Sequence, residues 1–218
     1  KLTYETSSSP FGEAIAAFQE YIELYPGSDK IEEAYNYLVA TFTEMRNYSA
    51  ALTALDKIRN KDSRLEAAYQ RVAFFRGLEL FNNMEIEQSI SLFNRSLQYE
   101  SYNRDLRARA VFWRGEAYYR TGQYENARDD YELFLAIPGA MRLPEAELIN
   151  YNLGYTLYNL KEYPAALTRF RNFESGYRGT RPELVADTKL RIADCYFITT
   201  SYPQAISYYD MVILNGKA

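Results

Sequence analysis

The chain has 218 residues, 47% of them hydrophobic, which is enough for one large globular domain or one solenoid. Its net charge of −4, from 25 basic and 29 acidic residues, argues against nucleic acid as the main ligand, because that role needs a basic excess. No apolar run approaches the ~18–20 residues of a membrane helix. There is no histidine and only one cysteine, Cys195, so the commonest general base, the commonest transition-metal ligand and any internal disulfide are all missing.

Residues 1–9 form a Ser-rich lead-in, and 10–218 read as a single repeat domain. Ser9 as N-cap and Pro10 at the first helical position predict a helix start. Ala14, Phe18, Tyr21 and Ile22 share one side of that helix, which stops near Pro26-Gly27. Asp29 with Glu32 resembles a capping box and opens the next helix. From there helices come in pairs. The spacing predicts them at 10–25, 29–46, 48–60, 63–82, 85–99, 103–121, 124–137, 143–161, 163–176, 181–200 and 202–215, with no sheet. Gly or Pro marks many of the connections, as at Gly122, Pro138-Gly139, Pro144, Gly176, Gly179 and Pro182.

Self-comparison shows a repeat. An aromatic or large apolar residue opens the second helix of each unit, at Phe11, Tyr48, Ile86, Tyr124, Tyr163 and Tyr202, with steps of 37, 38, 38, 39 and 39. Three residues later comes a small one, as at Ala51, Ser89, Ala127 and Ala166, and four further on a large one, as at Leu55, Phe93, Tyr131 and Phe170. The first helices carry Val39, Gly77, Gly115, Gly154 and Ala193 nine places before the opening residue. Close helix crossings need small residues at the contact, with large ones filling the space beside them. Stacked pairs bury what one pair cannot, so the expected fold is all-α, a right-handed superhelix of antiparallel helix pairs.

The units resemble tetratricopeptide repeats. Gly115, Tyr118, Gly122, Tyr124, Ala127, Tyr131 and Pro138 fall on the family's signature positions, and Leu153, Gly154, Tyr163, Ala166 and Phe170 continue the match. The resemblance covers about residues 11–215, five pairs plus a leading half-unit. The units are longer than the family's usual length, and Trp113 is displaced from the signature position. Longer units with endings like Tyr25-Pro26-Gly27-Ser28 resemble bacterial cell-envelope repeat proteins, which implies a periplasmic or outer-membrane-associated setting. A cytoplasmic setting stays open.

The resemblance also implies a concave groove lined by the first helices. The residues it places there include Tyr37, Arg71, Phe74, Arg109, Phe112, Trp113, Glu116, Tyr119, Arg120, Tyr151, Asn152, Tyr155, Tyr158, Arg191 and Asp194. The strip is rich in the Trp, Tyr and Arg that anchor interfaces. Filling of the core by these aromatics is the competing reading. Within the strip, Trp113, Tyr119 and Tyr155 form the favoured group. Residues 104–120 carry a local balance of +3, which would suit an acidic peptide; local ion pairs on a solvated face are the more economical explanation.

Cys195 reads as a buried, inert thiol, and Asp129 and Asp130 as an exposed face. No phosphate loop, nucleotide fingerprint or metal spacing occurs, so neither cofactor nor catalysis is expected. The expected function is a non-catalytic scaffold for a peptide or protein partner. Two alternatives stay open: a spacer within a longer array, of which this chain is a fragment, and an enzyme with an unrecognised site. Ile206, Tyr209, Val212 and Ile213 make an apolar face on the last helix, which points to self-association there. The missing initial methionine reads as processing or trimming, and any membrane association would come through chain outside this sequence.

Overall fold

The computed structural model describes residues 10–215, so the Ser9 cap lies outside the described residues. Among those residues the regular structure is entirely helical: α1 (Pro10–Leu24), α2 (Ile31–Glu44), α3 (Tyr48–Lys57), α4 (Ser63–Asn82), α5 (Ile86–Leu97), α6 (Arg104–Arg120), α7 (Tyr124–Ala136), α8 (Ile149–Asn159), α9 (Tyr163–Gly176), α10 (Pro182–Ile198) and α11 (Tyr202–Asn215). The chain forms two compact units. One ends at Leu106 and the other begins at Arg107, within the first turn of α6.

In the first unit, α1 packs on α2, and the pairs α2/α3 and α4/α5 follow. Its core is Leu38, Val39, Phe42, Leu55, Ile58, Leu65, Tyr69 and Val72, with Ile15, Phe18 and Ile22 of α1 leaning on it. Gln70 and Ser96 are buried polar residues of this unit. The Gln70 amide donates to the Asn103 carbonyl, and the Ser96 hydroxyl to the Gln70 carbonyl, so their burial is compensated.

The second unit holds α6/α7, α8/α9 and α10/α11. Its fully buried large side chains include Tyr131, Phe134, Ile149, Leu153, Phe170 and Ile192. The glycines show what fixes the helix pairs. A Cβ on Gly77 would sit 2.8 Å from Phe93, one on Gly115 3.0 Å from Tyr131, and one on Gly154 2.7 Å from Phe170. In each pair an aromatic ring of the second helix packs directly against the glycine of the first. The small residue is therefore a seat for a ring, and the sequence periodicity that paired Gly154 with Phe170 reports a direct contact.

Each pair is joined by the same turn. The first helix ends with a residue in the left-handed region: Arg46, Met84, Gly122, Lys161 or Thr200, at φ between 56° and 74°. The amide of the following residue reaches back to the carbonyls of Phe42, Leu80, Tyr118, Leu157 and Tyr196, while the left-handed residue's own amide bonds those of Thr43, Phe81, Tyr119, Tyr158 and Phe197. These are Schellman caps, which satisfy the orphan carbonyls of the helix end. Glycine would fill such a position without strain, yet only Gly122 does so. Thr200 is the costliest occupant because it is β-branched. Thr200→Gly is expected to stabilise the chain by ~0.5–1 kcal/mol. An unchanged or lowered melting temperature would contradict that turn geometry.

The expected helix over 143–161 starts late. Ile137 is extended and Gly139 sits at φ 92°, which ends α7. Leu143 is held extended, as residues before proline are, and two 3-10 turns, Ala140–Arg142 and Pro144–Glu147, precede α8 at Ile149. Pro144 opens the second of these turns and not the α-helix itself.

Candidate interaction face

The first helices of the second unit, α6, α8 and α10, carry the polar and aromatic residues that helix pairing leaves over. Taking the seat glycine or alanine as reference, the next residue along is Glu116, Tyr155 or Asp194, and three further on come Tyr119, Tyr158 and Phe197. Residues one apart from a core position turn about 100° away from it, so they leave the helix-pair contact for the neighbouring face.

Glu116, Tyr119, Tyr131, Tyr151, Asn152 and Tyr155 enclose a pocket of about 210 Å³. At its base, Glu116 Oε1 accepts hydrogen bonds from the Tyr131 hydroxyl and the Asn152 amide, both at 2.5 Å. On its wall, the Tyr151 hydroxyl donates to Asp187 Oδ2 at 2.9 Å, and the Tyr155 hydroxyl donates to the same oxygen. The Tyr119 hydroxyl accepts from the Asn159 amide at 3.2 Å. Ring contacts hold the walls: Tyr151 meets Tyr155 at 5.0 Å and Phe173 at 5.2 Å, and Tyr119 meets Tyr124 at 5.4 Å, all tilted or edge-to-face.

Burial raises the Glu116 carboxyl above the usual carboxylate range, against the Tyr131 hydrogen bond and the nearby Arg120 charge, which lower it. Burial beside Asp187 pushes the Tyr151 phenol up to about 12 and the Tyr155 phenol up further still. A carboxyl whose folded-state pKa lies above its unfolded value stabilises most below the unfolded pKa. That contribution is lost as pH rises through the folded pKa. Glu116→Gln keeps an oxygen for both donors and carries no charge to desolvate. The variant should therefore melt higher than the parent near pH ~7, with the gap closing toward pH ~4 as the parent's carboxyl protonates. A lower melting point at pH ~7 would show that Arg120 and the two donors outweigh the burial cost.

A second cluster lies on α6. Arg109 Nε donates to Glu145 Oε1 at 2.7 Å, and the Trp113 indole donates to the same oxygen at 3.1 Å. Glu145 comes from the second 3-10 turn and its side chain is 5% exposed. Trp113 also stands edge-on to Phe112. The favoured group of Trp113, Tyr119 and Tyr155 is thus divided: Trp113 anchors the 3-10 segment with Arg109, while the two tyrosines line the pocket. The +3 balance of residues 104–120 is also reduced, since Arg109 is paired with Glu145 and Arg114 with Asp130. A basic centre for an acidic peptide is not what these two arginines provide.

Arg191 and Asp194 join at 2.7 Å, and Asp194 accepts from Tyr209 of α11 at 2.8 Å. The Arg191 guanidinium lies 5.9 Å from the Tyr155 ring and 6.0 Å from the Tyr158 ring. These half-buried groups connect α8, α10 and α11. Arg120 is exposed at the end of α6.

Three expectations need correction. Phe74 is fully buried against Phe93 and Phe75, and Phe112 is buried against Tyr131 and Phe134, so both are core and not groove. They occupy the same repeat position as Tyr151, which is only partly buried and whose hydroxyl reaches Asp187. A phenylalanine there has no polar end to carry outward. Asp130 is buried, unlike exposed Asp129. Cys195 is fully buried, and burial pushes its thiol up to about 12, the inert character expected of it.

In the first unit, Tyr37 is 51% exposed and stacks on Phe18 at 5.0 Å. Together with Asn36, Glu44, Arg64 and Arg71 it lines an open cleft of about 410 Å³ between α2 and α4. Tyr37 and Arg71 therefore share a site, which is described apart from that of the second unit. Among the described residues no group of three or more His, Cys, Asp or Glu side chains could hold a metal ion, and no helix is long and apolar enough to cross a membrane.

Antiparallel pairs with ring-on-glycine seats, repeated at near-constant length, define a helical-repeat protein. Residues 75–140 match the tetratricopeptide repeat family model. Similar solved structures include YrrB, described as "a TPR protein with an unusual peptide-binding site" (18% identity, TM-score 0.57, covering 91% of this chain and 92% of that one). MamA AMB-1 is similar at 19% identity and TM-score 0.55, covering 84% and 99%, and BtubC (BKLC) from P. vanneervenii at 13% and 0.58, covering 94% and 90%. The tetratricopeptide-repeat match thus spans residues 75–140, and the chain shares the all-α solenoid fold of these structures. No curated protein matches its sequence.

Proposed function

We propose that the chain is a non-catalytic scaffold that binds a peptide or protein segment on the face of α6 and α8 in the second unit. The observation that carries this is the pocket around Glu116. Five of its lining residues lie within four positions of the seat glycines Gly115 and Gly154, and apart from Tyr131 none of the lining is itself a ring seated on a glycine. A rigid helix face with half-exposed tyrosines supplies interface area at little entropic cost. That YrrB, of the same fold, has a peptide-binding site supports this reading. The α2/α4 cleft around Tyr37 and Arg71 is a second surface of the same kind. On the resemblance of unit length and ending alone, the setting we propose is the bacterial envelope.

The test is partner capture from the native source by two paired variants. Tyr119→Ala with Tyr158→Ala should reduce capture at least tenfold while helix content stays at the parent's level. Tyr37→Ala with Arg71→Ala reports on the first unit. Full capture by both pairs would overturn the proposal. Ile206, Met211, Ile213 and Leu214 are exposed on α11, which favours a second reading as a spacer that assembles through that helix. Ile206→Ser with Ile213→Ser should then abolish self-association seen by sedimentation.

A further inference from the structure

We infer that the Glu116 pocket takes a cationic side chain, a lysine or arginine, from the bound partner; this rests on the scaffold reading and names the chemistry of its anchor. Three observations converge on it. The volume of about 210 Å³ falls below the ~300–1,000 Å³ of sites for whole small molecules, so the pocket suits one side chain. Glu116 is the one charged residue of its lining, and the rest is tyrosine rings and one amide. Most of the lining's hydrogen-bond donors are already committed to carboxylates: Tyr131 and Asn152 to Glu116, and Tyr151 and Tyr155 to Asp187. An anion entering would meet occupied donors and the Glu116 carboxylate, with Asp187 behind two of the tyrosines. A cation would meet tyrosine rings and a buried carboxylate.

The phenols that point at Asp187 add to this, because a hydroxyl donating to a carboxylate enriches its ring and strengthens attraction for a cation. The protein itself places the Arg191 guanidinium 5.9 Å from the Tyr155 ring, though Arg191 does not line the pocket. Both bonds to Glu116 fall on Oε1, so Oε2 lies outside that pair and is the oxygen a partner's cation would approach. Burial that raises the Glu116 carboxyl marks a charge short of compensation, which an incoming cation supplies. Arg120 supplies part of it from the exposed end of α6, so the site is in competition with that side chain.

The experiment uses small probes on the whole chain with no partner present. The protein is titrated with n-butylammonium and n-butylguanidinium, and in parallel with n-butyrate and n-butanol. The readout is the NMR signal of the Asn152 side-chain amide and the ring signals of Tyr151 and Tyr155. The expected result is saturable shifts with one or both cations and none with butyrate or butanol. Glu116→Gln, which keeps an oxygen for both internal donors, should weaken the cation at least tenfold with the melting temperature at or above the parent's. Equal shifts with butanol, binding of butyrate, cation binding unchanged in Glu116→Gln, or no saturable shift with either cation into the tens of millimolar would each overturn the inference. Because no partner takes part, such a failure leaves the capture result standing. Loss of the scaffold reading would show in capture while these titrations remained unchanged.

Discussion

Arg114→Ala is expected to destabilise the second unit by ~3 kcal/mol, at the low end for a broken buried pair. The guanidinium donates through Nε and Nη2 to the two oxygens of Asp130 at 2.7 and 2.6 Å, a two-pronged pairing of α6 with α7. The Asp130 side chain is 6% exposed and that of Arg114 20%, so removing the cation strands a carboxylate away from water. Burial already holds the Asp130 carboxyl above its usual range even with Arg114 opposing that rise. Without Arg114 it should take up a proton at higher pH. The deficit in melting temperature should therefore shrink as pH falls, and Arg114→Ala with Asp130→Ala should recover part of it. A deficit under ~1 kcal/mol at neutral pH would mean that the pair is solvated as a surface pair is.

The second large effect is expected at Gly154. Replacing it with leucine puts a side chain where Phe170 lies, with Cβ alone at 2.7 Å from Cε1 and 2.8 Å from Cδ1. Phe170 is fully buried, and Tyr155 stands at 90° to it with centroids 5.3 Å apart, which opposes displacement of the ring. Glycine-to-alanine in a helix gains ~1 kcal/mol of propensity, whereas overpacking costs ~1–3 kcal/mol. For alanine the two nearly cancel; for leucine the clash wins, at ~3 kcal/mol. The same change should cost least at Gly115, where Tyr131 is 3.0 Å away. Gly27→Ala is the control, since nothing lies within 4 Å of its Cβ position. Denaturant unfolding measures all of these, and a Gly154→Leu variant as stable as Gly27→Ala would refute the ring-on-glycine seat.

These two sites differ in how much the sequence discloses. The Gly154–Phe170 seat is legible because the constraint is local and recurs, so position within the unit reveals it. The Arg114–Asp130 pair is not, because nothing in the one-dimensional pattern distinguishes Asp130 from its exposed neighbour Asp129. The Arg109–Trp113–Glu145 cluster was hidden for a related reason. Its acceptor comes from a proline-opened 3-10 turn that the periodicity reads as helix. The pocket was largely legible, because Glu116, Tyr119, Tyr151, Asn152 and Tyr155 follow from repeat position. Tyr131 belongs to both sets, its ring on Gly115 and its hydroxyl on Glu116. Phe74 and Phe112 were misplaced because position alone ignores what the side chain's end can do. The Schellman caps at Arg46, Met84, Lys161 and Thr200 are not legible, since without glycine a left-handed turn has no mark in the sequence.

On the proposed reading two faces of the same helices carry separate duties, and footprinting tests this most directly. Hydroxyl-radical labelling of the chain, alone and with its captured partner, should show protection at Tyr119, Tyr151 and Tyr155. Leu133 and Met141, which are exposed on and just after α7, should label equally in both states. Protection confined to Leu133 and Met141, with the three tyrosines unchanged, would contradict the placement of the interaction face.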